Sequence, residues 1–472
     1  MKNTEKQKMN EAPAQERINN FSEVALGYNE EQARIEAQRC IQCKKPSCVA
    51  GCPVEINIPK FIKEIASGEY SKSISTLKEK SNLPAVCGRV CPQETQCELK
   101  CILSKKGNPV AIGYLERFAA DYEMKNKKDS LPVISVKKTQ GHKVAIIGSG
   151  PAGLTCAGDL ARAGASVTIF EALHKSGGVL SYGIPPFRLP RNILNDELNY
   201  IKSLGVEIQN NIIIGKTFSI EDLFAAGYKA VFIGAGAGLP VFPGLPGENL
   251  CGIYSANEFL TRINLMSADK FPESDTPLNI GSKTVVIGGG NTAMDSARCA
   301  IRIIKTRFPD IKPEVTIIYR RTESEMPARK EEIEHAKQEG INFEFLTQPV
   351  EFINNGDGFL SAVKCLKCEL GAPDSSGRRK PVPLKNSEFI IETNTAVLAL
   401  GLKPNPLVPQ SLKGLKTDDE GNVIVNPETA QTSIDNVYAG GDIIGGEGTV
   451  IEAMGMGKKA AKSIINVYLN TH

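Results

Sequence analysis

The chain has 472 residues, longer than one ordinary domain, with 41% hydrophobic and 23% charged residues, which fits a folded globular protein and excludes general disorder. Its 56 basic and 53 acidic residues leave a net charge of +3, too small and too dispersed for a nucleic-acid-binding face. The apolar windows are broken by glycine and proline and the first twenty residues are polar, so neither a membrane span nor a secretory signal is expected. The expected location is cytoplasmic, where dense cysteine reads as metal or redox chemistry and not as disulfides.

Residues 1–20 read as a loose lead-in and about 21–40 as helical, with Ala33, Ala37 and Cys40 toward one face. The helix is interrupted by CIQCKKPSCVAGCP, where Cys40, Cys43, Cys48 and Cys52 fall within thirteen positions and Pro53 follows. Ile58, Phe61, Ile62 and Ile65 then recur at helical spacing, and Gly68 marks a stop. A second run, CGRVCPQETQCELKC, brings Cys87, Cys91, Cys97 and Cys101, so the two runs hold eight of the thirteen cysteines. Their gaps are uneven, unlike the paired spacings of structural zinc sites. The Cys52-Pro53 and Cys91-Pro92 steps suit iron-sulfur runs, in which the last cysteine can serve a second cluster. No β-branched alternation occurs before about residue 125, so 1–138 is expected to be a helical domain holding two 4Fe-4S clusters. Lys125 to Gln140 suits a linker.

From Lys143 the texture changes to strand, glycine turn, helix and strand. In GSGPAG, Gly148 permits the turn, Gly150 lets backbone approach a pyrophosphate, and Gly153 lets helix and strand pack closely, with Pro151 and Ala152 opening the helix. Glu171 ends the next strand, where a carboxylate can accept from a ribose hydroxyl. A second unit begins at Lys283, with Gly288, Gly290, Asn291, Thr292 and Ala293 in its fingerprint and a long helix to about Phe308. Its second strand ends in Arg320-Arg321, which suits a 2′-phosphate where a carboxylate would repel one; Arg329 is a third candidate. The acid and the arginine pair assign FAD to the first site and NADP(H) to the second. VFIGAGAG at 231–238 and AVLALGLKPNP at 396–406 read as buried strands. Near the C-terminus, Gly441 and Asp442 at a strand end could reach the ribityl chain, and a helix starting near Thr449 and Val450 would aim its positive end at the flavin.

The remaining residues read as ordinary structure. Cys365 and Cys368 fall on opposite faces of a strand, and Cys156, Cys251 and Cys299 read as small buried apolar residues. His142, His174, His335 and His472 read as surface residues, and Arg378-Arg379-Lys380 as a solvated loop.

CGRVCPQ, SYGIPPFRLP at 181–190 and YRRTESEMPAR at 319–329, in this order of parts, resemble the small chain of NADPH-dependent glutamate synthase over nearly the whole length. The sequence is also similar to the large subunit of NADH-dependent ferredoxin:NADP oxidoreductase and to the FAD/NADPH subunit of sulfide dehydrogenase, and KKPSCVAGCPV looks closer to those branches. The resemblance implies an α/β fold in which an N-terminal α-helical iron-sulfur domain precedes two Rossmann-like domains. The FAD-binding domain is expected at 139–252 and 395–472, with the NADP(H)-binding domain, 253–394, inserted in it. The resemblance implies one cluster on Cys40, Cys43, Cys48 and Cys101. The other is on Cys52, Cys91 and Cys97, with Glu116 as fourth ligand where the residues alone would choose Cys87. Gly178 and Arg188 join the flavin site by the same resemblance, Arg188 on a loop over the isoalloxazine. The implied activity moves electrons from NADPH through FAD and the clusters to a partner: a glutamate synthase large chain, a second flavin and iron-sulfur subunit, or ferredoxin. The rival readings are a ferredoxin:NADP oxidoreductase subunit and a sulfide dehydrogenase or polysulfide reductase subunit.

Overall fold

The computed structural model describes residues 5–126, 142–374, 377–446 and 448–469, so most of the expected linker and His472 lie outside the described residues. The N-terminal part is built of short helices. Asn29 and Gln32 form a reciprocal cap at the start of Glu30–Ala37, which delays the expected helix by several residues, and a two-stranded ribbon of Asn10–Glu11 with Ala25–Gly27 precedes it. Ile58–Ala66 buries Ile58, Phe61, Ile62 and Ile65 on one face, and Gly68 beyond it has φ +78°, a conformation that favours glycine.

Two five-stranded parallel sheets follow. The first has the spatial order Val437–Ala439, Tyr228–Ile233, Lys143–Ile147, Ser166–Phe170, Glu207–Gln209. The second runs Asn342–Phe345, Glu314–Tyr319, Lys283–Ile287, Thr395–Leu398, Ile253–Ser255. The chain leaves the first sheet after Ile233 and rejoins it at Val437, and an antiparallel ribbon of Ala237–Pro240 with Leu402–Pro404 carries it both ways. Thr395–Leu398 pairs with Lys283–Ile287 and with Ile253–Ser255, so a boundary drawn at 395 cuts the second sheet; the return comes after Leu398. An apolar strand ending in small residues looks alike in either sheet, which is why the sequence pattern could not place it. Beside the second sheet, Leu360–Pro373 is the centre of an antiparallel sheet, and Cys365 and Cys368 are buried within it.

The second glycine helix, Asn291–Arg307, is held by charge as well as by apolar packing. Both oxygens of Glu339 accept from Arg298 (Nε at 3.0 Å, Nη2 at 2.9 Å) and Arg302 (Nη1 at 2.7 Å, Nη2 at 3.1 Å), with Arg17 Nε at 3.2 Å. Phe187 lies under both guanidiniums, 4.5 Å from Arg298 and 4.1 Å from Arg302. Burial alone would raise the Glu339 carboxyl, but the arginines hold it down at about 2, below its ordinary 4.5. A depressed carboxylate contributes stability that is complete above pH 4.5 and is lost as pH falls from there toward 2. Glu339→Gln strands buried cations and is expected to cost about 3–5 kcal/mol at neutral pH. The gap between wild type and variant in thermal unfolding should narrow as the pH is lowered below 4.5.

Two other expectations change. His335 is 4% exposed, with Nε2 3.4 Å from Glu11, because its helix packs under the N-terminal segment. Cys251 is exposed, in the turn before Ile253–Ser255.

Candidate functional site

A cavity of about 1220 Å³ runs between the two parallel sheets and is lined by both glycine turns. In the first, Gly148 has φ +96°, and a Cβ on Gly153 would fall 2.0 Å from the Gly148 carbonyl oxygen, so the helix Pro151–Arg162 approaches the strand only because residue 153 has no side chain. A Cβ on Gly150 would meet nothing within 4 Å, which leaves the helix N-terminus open to the cavity. In the second turn Gly288 has φ +148°, and a Cβ on Gly289 would lie 2.5 Å from the Tyr319 ring. Pro151, Ala152, Gly178, Gly288, Gly290, Asn291 and Thr292 line the cavity, whereas Gly153 and Ala293 sit behind the lining.

Glu171 reaches the lining while accepting from the Ser149 N–H at 2.9 Å and the Leu173 N–H at 2.8 Å, so the same carboxylate shapes the turn and faces the cavity. Gly441, Asp442, Thr449 and Val450 close the same end, and Thr449 caps the helix Val450–Tyr468. Arg188 also lines the cavity, but its Nη1 donates to Asp295 at 2.7 Å and its Nε lies 3.2 Å from Glu332, which ties the loop to the second domain. Asp295, not foreseen from the sequence, lines the cavity with a carboxyl that burial pushes up to about 6 against the pull of Arg188. Its signal was present as the position one helical turn after Asn291.

The arginines divide. Arg320 and Arg321 line the far end of the cavity, Arg321 with its Nη2 2.6 Å from Asp374. Arg329 does not reach it: its guanidinium donates to the Arg89 carbonyl at 2.8 Å, Gln93 at 3.1 Å and Glu331 at 2.9 Å, clamping the second nucleotide domain to the helical domain. Arg378 lines the cavity instead, brought there by the turn before the strand Arg379–Pro383, while Arg379 and Lys380 are exposed on that strand.

The cysteines fall into two sets. Cys40, Cys43, Cys48 and Cys101 are partly exposed. Burial, with Cys101 and Cys40 next, pushes the Cys48 thiol up to about 11, and burial raises Cys40, again with Cys101 and Cys43 beside it. Cys52, Cys91, Cys97 and Glu116 form an inner set. Burial raises Cys52 to about 12, with Glu116 among its charged neighbours, and Cys97 is raised by burial and by Glu98, Cys52 and Glu116. Glu116 is 6% exposed, its Oε1 has no hydrogen-bond partner, and burial lifts its carboxyl to about 8. A buried carboxyl with an unpartnered oxygen, beside the buried thiols of Cys52 and Cys91 and the half-buried Cys97, is a donor set that a cation would complete. Cys87 adjoins the inner set, its thiol paired with that of Cys91 and its Sγ also 3.4 Å from the Met454 sulfur and 3.9 Å from Ser81 Oγ.

The spacing of the sulfurs bears on the metal. A tetrahedral zinc draws its thiolates to roughly 3.8 Å apart, from Zn–S bonds of about 2.3 Å. Among the described residues the one group of three or more His, Cys, Asp or Glu donors within 4.8 Å is Glu11, Glu331 and His335, so neither cysteine set is drawn in to a single-ion site. Val90 and Pro92, on either side of Cys91, line the cavity. A Cβ on Gly455 would lie 2.9 Å from the Pro53 carbonyl oxygen, so the closing helix lies directly against the residue after Cys52. The inner set therefore adjoins the cavity and the outer set faces the surface. No helix among the described residues is long and apolar enough to cross a membrane.

Comparison with known proteins matches residues 17–128 to the family described as dihydropyrimidine dehydrogenase domain II, 4Fe-4S cluster, and residues 142–457 to the pyridine nucleotide-disulphide oxidoreductases. The chain is 36% identical to the small chain of NADPH glutamate synthase from Escherichia coli (strain K12), over 94% of this chain and 93% of that one. It is 34% identical to the beta subunit of the NADPH-Fe(3+) oxidoreductase of Geobacter sulfurreducens (strain ATCC 51573 / DSM 12127 / PCA), over 96% of this chain and 68% of that one. Among solved structures, FprA of Mycobacterium tuberculosis in complex with NADPH shares the fold, with a TM-score of 0.58 at 20% identity over 70% of this chain and 85% of that one.

Proposed function

The chain belongs to the pyridine nucleotide-disulphide oxidoreductases and, within them, to the family of the NADPH-dependent glutamate synthase small chain, and from that premise we propose that it draws electrons from NADPH and delivers them through its cysteine-rich domain to a partner subunit. The observation that carries this reading is the single cavity whose lining includes both glycine turns and the two neighbours of Cys91. FAD held at the first glycine turn and 4Fe-4S clusters held by the two cysteine sets would supply the chemistry that joins a two-electron hydride donor to one-electron carriers.

In this assignment the helix opened by Gly150 and Pro151 holds the FAD pyrophosphate, Glu171 accepts from its ribose, and Asp442, Thr449 and Val450 close over the flavin. Asn291 and Thr292 open the helix that receives the NADPH pyrophosphate, and Arg320, Arg321 and Arg378 surround the 2′-phosphate. We place the NADP(H)-binding part at 253–398, enclosed by the FAD-binding parts. Replacing Arg320 and Arg378 together by alanine should raise KM for NADPH about ten- to a hundredfold, from the loss of charge-assisted hydrogen bonds, and leave NADH unchanged in steady-state kinetics.

Cys40, Cys43, Cys48 and Cys101 would hold one cluster, and Cys52, Cys91, Cys97 and Glu116 the other. Glu116→Ala and Cys87→Ala test the fourth ligand separately. Loss of the inner cluster's electron paramagnetic resonance signal in the cysteine variant alone would overturn the carboxylate assignment. The partner in this reading is a glutamate synthase large chain, to which this chain would supply electrons for making glutamate from glutamine and 2-oxoglutarate; the family of small subunits supports it. The test is anaerobic NADPH oxidation with three acceptors offered in parallel, namely that large chain with its substrates, ferredoxin, and polysulfide. Glutamate formed with the large chain supports the reading, while turnover confined to ferredoxin or polysulfide replaces it with the corresponding reductase.

A further inference from the structure

The outer cysteine set lies under a surface whose composition differs from the rest of the molecule. We propose that this face docks an acidic protein carrying a one-electron redox centre, an inference that rests on the electron-delivery reading above and specifies the chemistry of the partner.

Three large apolar side chains stand open around the set: Ile41 is 49%, Leu99 54% and Ile102 48% exposed. Ile41 follows Cys40 and Ile102 follows Cys101, so each adjoins a residue of the outer set. The two segments that carry them lie side by side. Ser47 Oγ donates to the Lys100 carbonyl at 3.1 Å, and a Cβ on Gly51 would come within 2.8 Å of Lys100 Cγ.

Around this apolar centre every exposed charge on the two segments is a lysine: Lys44, Lys45, Lys100, Lys105 and Lys106. Neither segment, 37–54 or 99–115, contains an aspartate or glutamate. Of the four acids at their edges, all but Glu55 are turned inward. Glu36 is 0% exposed and paired with Arg39, and Glu98 is 5% exposed with Lys6 at 2.7 Å. The next exposed acid, Glu55, lies beyond Cys52. The chain as a whole carries only +3, so this local excess is a property of the face.

An apolar core inside a charged rim is the anatomy of a specific interface, and a one-sign rim speeds and orients encounters with a surface of the opposite sign. Electron-transfer encounters belong to the small, transient class of interfaces, where such steering matters most. A second copy of this chain would present the same lysines and be repelled. A single-stranded nucleic acid would need open aromatic platforms for its bases, and the one aromatic residue in 37–54 and 99–115, Tyr114, packs edge-on against Tyr28 with its hydroxyl on Glu331.

The test uses the holoprotein and two probes: a plant-type 2Fe-2S ferredoxin with an acidic surface, and a basic cytochrome c. Binding is measured by calorimetry at low and high ionic strength, and the reduction rate of each probe by NADPH is measured alongside. The ferredoxin should bind and should release with rising salt, and the cytochrome should not bind. Lys45→Glu/Lys105→Glu/Lys106→Glu should weaken ferredoxin binding at low salt by at least about tenfold and leave flavin bleaching by NADPH unchanged. Because Lys45 lies between two cysteines, Lys105→Glu/Lys106→Glu is made as well, with its iron content and visible spectrum compared with wild type. Undiminished ferredoxin binding by both variants, salt-insensitive binding, or a preference for the cytochrome overturns the docking face. Failure of NADPH to bleach the flavin overturns the electron-delivery reading instead, and the calorimetry still reports on the face.

Discussion

Gly153→Val is expected to purify without flavin. The Cβ of any side chain at 153 would fall 2.0 Å from the Gly148 carbonyl oxygen, which is backbone, in a turn where Gly148 is itself fixed at φ +96° with Gly234 packed against it. Neither partner can rotate away, so the helix must move off the strand and carry its N-terminal amides out of the cavity. Overpacking of this kind costs about 3 kcal/mol, equivalent to roughly a hundredfold in affinity. Gly150→Ala is the contrasting variant. Its backbone, at φ −70°, accepts any residue, and a Cβ there meets nothing within 4 Å of protein. That protein should fold with wild-type thermal stability yet hold flavin more weakly, because the methyl occupies the space the pyrophosphate needs. The flavin-to-protein ratio and the thermal midpoint of each variant check the pair. Stoichiometric flavin in Gly153→Val would contradict the assignment of the first turn.

Cys91→Ser should separate the two halves of the reaction. Cys91 is 5% exposed, sits in the inner set with Cys52, Cys97 and Glu116, and is flanked by the two residues that line the cavity. Its loss should leave bleaching of the flavin by NADPH intact and reduce electron delivery to one-electron acceptors. Removing an outer-shell partner of a metal site already lowers metal affinity about 10–100-fold, so loss of a ligand should exceed that. Because Cys87 lies beside Cys91, the Cys87→Ala/Cys91→Ser double variant is needed to exclude its substitution as a ligand. Stopped-flow flavin bleaching and ferredoxin reduction, measured on the same preparations, check both halves.

The parts legible in the sequence are those whose physics is local. A buried strand, a glycine at positive φ and a helix N-terminus lie within about a dozen residues of one another, so both nucleotide turns could be read directly. The amphipathic face of Ile58–Ala66 was legible for the same reason. What failed was non-local. Arg329 stands among residues that suit a phosphate site, but its partners Arg89 and Gln93 lie about 240 positions away in the chain, and no pattern in its own segment announces them. His335 looked like a surface residue until Glu11 was packed over it. Arg378 enters the cavity because the antiparallel sheet folds back toward Arg320 and Arg321, a contact that depends on strand pairing and not on composition. The division of the first cysteine run is non-local too, and it is anticipated through the family resemblance and not through spacing. Cys40, Cys43 and Cys48 associate with Cys101, while Cys52 turns inward to Glu116.

The most direct test is an anaerobic titration of the cofactor-replete protein with NADPH, following the flavin by its visible absorbance and the clusters by electron paramagnetic resonance. The account predicts that NADPH bleaches the flavin and that reduced-cluster signals appear in the same titration. A flavin that stays oxidised, or one that bleaches while the clusters remain silent at every NADPH addition, would contradict it.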